Sequence, residues 1–192
     1  VDGGGAVFAR GGRLSIVNSR FFRNQCEGSG PDLGGAAVRV REMSGASPVY
    51  VVGSTFGGAS GHGNTCSNGG GLSGLAASYT VLNSVFTHNR AIGTGANPQR
   101  AGTPGGGSGG AIYMDGNRFD LSVCGTLMNN NSANEGGSAI FYVSNDRSGT
   151  LSIANSTLTA HPKGTFETDG LPGFFVLAAP GQPVVSKSSI TR

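Results

Sequence analysis

The sequence predicts an all-β fold: a parallel β-helix of about six coils, forming a single domain over residues 1–192 with no substantial helix. Three observations predict it. Six eight-residue segments align without gaps, a glycine-rich block precedes each of them, and the apolar positions within them alternate with period two. Such alternation is a strand signal, and paired glycines with β-branched residues are poor helix formers.

The aligned segments begin at Leu14, Val49, Tyr79, Leu121, Leu151 and Pro183. Their third position is Ile16, Val51, Val81, Val123, Ile153 and Val185, always β-branched. Their last is Phe21, Phe56, Phe86, Met128, Leu158 and Ile190, always large and apolar. The sixth is Ser19, Ser54, Ser84, Thr126, Ser156 and Ser188, always a small hydroxyl. A repeat of this length holding short strands stacks into a solenoid. Each strand then pairs with its counterpart one coil away, about 4.8 Å distant, so six coils span about 29 Å.

The third and eighth positions are both apolar yet five apart, so a corner lies between them. The fifth position, Asn18, Gly53, Asn83, Gly125, Asn155 and Lys187, suits it, because Asn and Gly tolerate a left-handed backbone. Asparagines stacked there are expected to bond neighbouring backbone. The preceding blocks read Gly4-Gly5-Ala6-Val7, Gly35-Ala36-Ala37-Val38, Gly70-Gly71-Leu72-Ser73, Gly109-Gly110-Ala111-Ile112, Gly137-Ser138-Ala139-Ile140 and a degenerate Pro172-Gly173-Phe174-Phe175, and mark a second corner. The last coil, within 163–192, lacks a glycine pair and reads as a degenerate cap.

Glycine is 36 of 192 residues, against a background near 7%, and charged residues are only 12%. The repeat accounts for that excess as corners and loops. A net charge of +3 with scattered cations gives no nucleic-acid footprint. No apolar run is long enough for a membrane-spanning helix. Three cysteines are too few for a disulfide framework. Cys26 and Cys66, however, occupy matching places on adjacent coils, and one coil step fits the Cα separation of about 4.4–6.8 Å that a disulfide needs. A Cys26–Cys66 bridge is expected. Cys124, beside Val123, is expected to be a buried small hydrophobe.

The pairing of Gly-Gly-Ala-Ile with Phe-x-x-Asn, as in Phe21-Phe22-Arg23-Asn24 and Phe86-Thr87-His88-Asn89, resembles right-handed parallel β-helix repeats of bacterial surface and secreted proteins. Similar repeats occur in polymorphic outer-membrane adhesins and in secreted actinobacterial proteins, and the wider superfamily includes pectate lyases. The resemblance covers nearly the whole chain. It implies right-handed winding and an extracellular or cell-surface setting.

Two surfaces are expected to carry function. The turns after the glycine blocks hold Arg10, Arg13, Arg39, Arg41, Glu42, Asp115, Arg118, Asp146 and Arg147. Coil stacking would bring Asp115, Arg118, Asp146 and Arg147 together, with Asp115 and Asp146 as glycosidase carboxylates beside two guanidiniums. By analogy with the superfamily they would instead be a lyase's base and calcium ligands, calcium being the one cofactor considered. Residues 90–108 form a long inserted loop, expected to build a groove with His88, Arg90, Arg100 and Glu135. The function that fits best is a binding or scaffold module for polysaccharide or surface glycan. A polysaccharide lyase or glycoside hydrolase is the second expectation and an ice-binding protein the third. The Gly-rich ends suggest an oligomer, or a longer parent chain, covering them.

Overall fold

The computed structural model describes residues 3–42, 48–96 and 98–192. It is all-β, with 21 short strands in that range and no helix. Every strand-to-strand pairing is parallel and joins successive coils, so the chain is a β-solenoid of six turns.

The first sheet stacks Val7–Arg10, Val38–Arg41, Leu72–Leu75, Ile112–Gly116, Ile140–Ser144 and Phe174–Leu177. The second stacks Ser15–Val17, Val49–Val52, Tyr79–Leu82, Asp120–Cys124, Thr150–Ala154 and Val184–Ser186. The third stacks Arg20–Phe21, Thr55–Gly57, Val85–Thr87, Leu127–Asn129, Thr157–Thr159 and Ser189–Ile190. A minor sheet joins Thr65–Cys66, Arg90–Ala91 and Ser132–Ala133.

The register matches the aligned columns. Ile16, Val51, Val81, Val123, Ile153 and Val185 are successive Cα partners, as are Phe21, Phe56, Phe86, Met128, Leu158 and Ile190. The rings of Phe21, Phe56 and Phe86 stack at 4.9 and 4.6 Å inside the coil. The glycine blocks are in register by one residue differently from the sequence alignment in two copies. Leu72, not Ser73, and Phe174, not Phe175, align with Val38, Ile112 and Ile140. A run of three glycines, Gly69–Gly71, hid the correct frame. The first residue of the corrected block is left-handed on five coils, at Gly4, Gly35, Gly69, Gly109 and Gly137, which is why glycine stands there.

The corner within the aligned segment is explained by the backbone. The fifth position is left-handed on all six coils, with φ from 47 to 62°. The hydroxyl that follows makes a ladder: Ser19, Ser54, Ser84, Thr126 and Ser156 each donate a backbone N–H to the next hydroxyl oxygen, at 3.0–3.4 Å. Each hydroxyl in turn donates to the carbonyl two residues before it. Buried backbone groups at the bend are thereby satisfied. The asparagines that bond the backbone of neighbouring coils are not those of the fifth position, where Asn155 instead reaches the Cys124 thiol. They include a ladder of four, Asn24, Asn64, Asn89 and Asn131, in which the Oδ1 of Asn64, Asn89 and Asn131 each accepts the backbone N–H of the ladder asparagine on the preceding coil.

The core lies inside the coil, between the three sheets. A second buried layer covers the outward face of the first sheet. Tyr113, Phe141 and Phe175 stack along it at 4.9 and 5.3 Å, and Phe166 meets Phe175 edge-on at 4.8 Å. Arg39 is part of this layer, which corrects its expected place on a solvated turn. It is fully buried on the strand Val38–Arg41, donating to Ser73 Oγ at 2.8 Å and to Asp32 O. Cys124 is corrected as well. Val123 points inward, so the next residue faces outward, and the Cys124 thiol is half-buried, accepting from Asn155 Nδ2 at 3.7 Å.

Candidate functional site

The minor sheet floors a cleft of about 550 Å³. Strand alternation sets its walls. Ala91 and Cys66 point inward, so their neighbours Arg90 and Thr65 point out. Gln25, Thr65, Arg90 and Ser132 are partners on coils one to four, and all four line the cleft. The residue before each capping asparagine is a left-handed corner on three of these coils, Arg23 (φ 55°), His88 (59°) and Asn130 (52°), and these line it too. The loop through Ser60, Gly61 and Gly63 completes the lining.

No aspartate or glutamate lines this cleft. Among the described residues, no carboxylate lies within ion-pair distance of Arg23 or Arg90. His88 Nδ1 is 2.9 Å from Gly58 O, and because a carbonyl only accepts, Nδ1 carries the proton. The disulfide sits directly beneath the floor. Cys26 and Cys66 are bonded, with Cα atoms 4.8 Å apart, next to Gln25 and Thr65. It clamps coil one to coil two where the cleft crosses them. Across the loop 57–63, a smaller cleft of about 350 Å³ is lined by Arg20, Phe22, Thr55 and His62. Phe22 is 54% exposed, with the His62 ring 6.2 Å away, so it offers an aromatic platform to solvent.

The four residues expected to form one groove divide into two pairs. His88 and Arg90 line the cleft, whereas Arg100 and Glu135 form an ion pair elsewhere. The Arg100 guanidinium makes two bonds to Glu135, at 2.7 and 3.1 Å, and Gly95 N–H donates to the same carboxylate at 2.8 Å. Burial pushes the Glu135 carboxyl up, but these donors outweigh it and hold it below the usual range. The pair closes a hairpin in which Thr94 and Ala96 bridge Gly105 and Gly106. That hairpin packs on the segment at Gly30–Pro31 rather than over the cleft.

In the other expected group, the two carboxylates have different partners. Asp115, on the strand Ile112–Gly116, accepts from Tyr113 OH and Asn145 Nδ2, both at 3.1 Å. It borders a cavity of about 440 Å³ with Pro98, Val143, Asn145, Phe175 and Leu177, and burial raises its carboxyl. Asp146 caps its own turn instead, its Oδ1 accepting from Ser144 Oγ and from Ser148 N and Oγ. Its Ser148 bonds hold its carboxyl below the usual range. Arg118 and Arg147 do not line the Asp115 cavity, and Arg147 is a left-handed turn residue. A calcium site needs six to eight oxygen ligands. Among the described residues no group of three or more His, Cys, Asp or Glu could hold a metal. Asp115 and Asp146, two carboxylates already bonded to separate partners, fall short of that donor set.

The cleft was missed as a unit in sequence because Thr65 and Ser132 are unremarkable alone. A large apolar residue followed three positions later by Asn, as at Phe21–Asn24, Phe86–Asn89 and Met128–Asn131, is the signal that finds Gln25, Arg90 and Ser132. The insertion at 57–63 hides Thr65. No family model, no curated protein and no solved structure matches this chain. Among the described residues no helix is long and apolar enough to cross a membrane.

Proposed function

We propose that this chain is a glycan-binding module of a secreted or cell-surface protein, working through the cleft on the minor sheet. One observation carries the reading: an uninterrupted row of outward polar side chains, Gln25, Thr65, Arg90 and Ser132, repeats at coil spacing along the solenoid axis inside one cleft. Successive coils are about 4.8 Å apart, comparable to the length of one pyranose ring with its glycosidic link. A linear glycan laid along the axis would therefore meet one hydrogen-bonding side chain per ring. Exposed Phe22, across the adjoining loop, adds an apolar surface for a sugar face.

The disulfide supports an oxidising, extracellular setting. Right-handed winding and kinship with adhesin-like or pectate-lyase-like β-helices belong to the same proposal, as does occupancy of the solenoid ends by a further coil or a second copy. At the C-terminal end Val185, an interior-column residue, is 40% exposed.

A glycan array followed by titration tests the reading. The intact protein is expected to bind at least one class of linear glycan. Ser132→Trp, which fills the cleft from coil four, is expected to abolish binding without changing the circular dichroism. Binding to no glycan, or full binding by the Trp variant, would end the proposal.

A further inference from the structure

We infer that the cleft selects linear glycans carrying one anionic group per disaccharide. The inference rests on the glycan-binding reading and adds charge and its spacing to it. The argument is the distribution of cations among the coils. Coil one contributes Arg23 and coil three contributes Arg90, whereas coil two contributes Gly63 and Thr65 and coil four Asn130 and Ser132. The charged coils alternate with uncharged ones. Arg23 and Arg90 therefore lie two coil steps apart along the axis, about 10 Å. If each ring occupies one coil, the two guanidiniums meet every second ring.

Both arginines are exposed and neither has a carboxylate partner, so their planar forks are available to an oxyanion. No acidic side chain lines the cleft to repel such a ligand. The uncharged coils between offer hydroxyl and amide groups, which suit neutral sugars. A polymer with a charge on every unit would place alternate anions against Thr65 and Ser132, with no cation to meet them. A neutral polymer would leave both arginines without a counter-charge.

The test is calorimetric titration of the intact, disulfide-bonded protein with four probes. These are hyaluronan oligosaccharides, which carry one carboxylate per disaccharide, the same oligosaccharides after carboxyl reduction, oligogalacturonate with one carboxylate per sugar, and oligo-dT. Hyaluronan oligosaccharides are expected to bind about tenfold or more tightly than the reduced form, from charge-assisted bonds to two arginines. The double variant Arg23→Gln, Arg90→Gln, made at two exposed positions, is expected to bind both forms equally. Equal binding of the two forms by the unmodified protein would overturn the inference and leave glycan binding standing. Oligogalacturonate or oligo-dT binding as tightly as hyaluronan would overturn the charge spacing. No binding of any saccharide would overturn this inference and the glycan-binding reading with it.

Discussion

Asn89 Oδ1 accepts two hydrogen bonds from Asn64, one from its backbone N–H at 3.1 Å and one from its side-chain amide at 2.8 Å. Asn89 Nδ2 then donates to Phe56 O at 3.0 Å and to Asn131 Oδ1 at 2.9 Å. One buried side chain thus ties three coils beside the cleft. Asn89→Ala removes all four bonds and leaves buried partners unmet, each worth about 1–3 kcal/mol. Chemical denaturation is expected to show a loss of at least about 3 kcal/mol. A loss below about 1 kcal/mol would mean that water substitutes for the amide.

The asparagine ladder stops at His161, which takes the fifth-coil place. The ring is fully buried, its Nδ1 lies 3.3 Å from Asn131 O, and its Nε2 has no hydrogen-bond partner. Burial lowers its basicity, and the charge of Arg192 adds to that, against the opposing effect of backbone carbonyls and Glu167. The unfolded chain therefore binds a proton more readily than the folded one. Stability is full above the ordinary histidine range and falls as pH drops through it toward the lowered value. His161→Asn would extend the ladder to a fifth coil. It is expected to add about 1 kcal/mol at neutral pH and to remove this acid slope, read from melting temperature against pH.

The hairpin at 94–106 is held by Glu135. Its carboxyl sits below the ordinary range, so its contribution is present above that range and lost as pH falls through the folded value. Glu135→Gln weakens the bidentate grip on Arg100 at every pH. Amides at Gly95 and Arg100 are expected to exchange faster, and cleavage after Arg100 by a trypsin-like protease to speed up. Saccharide binding is expected to stay unchanged, because neither Glu135 nor Arg100 lines the cleft.

The disulfide closes 40 residues of sequence. Replacing both cysteines by alanine is expected to lower stability by about 2–4 kcal/mol. Because the bond clamps coils one and two under Gln25 and Thr65, the same variant is expected to bind glycan more weakly. Unchanged affinity in a variant that still folds would show that coil stacking alone holds the cleft.

The solenoid was legible because its inward columns carry a strict chemical signature. Ile16 to Val185, Phe21 to Ile190 and the hydroxyl series recur at fixed positions, and their strands pair in that register. Gly69–Gly71 offered no side chain to fix the frame, hence the one-residue slip there. Arg39 was misplaced because the outer face of the first sheet is covered by loops that the repeat does not describe. Cys124 was misread because its neighbour's burial was extended to it, against strand alternation. The cleft was half legible. Arg90 and His88 stood out as charges, but their partners Thr65 and Ser132 are recognised only by their place on the stacked coils.

The most direct measurement of the central claim is a crystal structure of the protein with a bound linear oligosaccharide of at least four rings. The account predicts a sugar chain running along the solenoid axis, with successive rings over Gln25, Thr65, Arg90 and Ser132. A saccharide lying across the coils, or seated on another face of the solenoid, would contradict it.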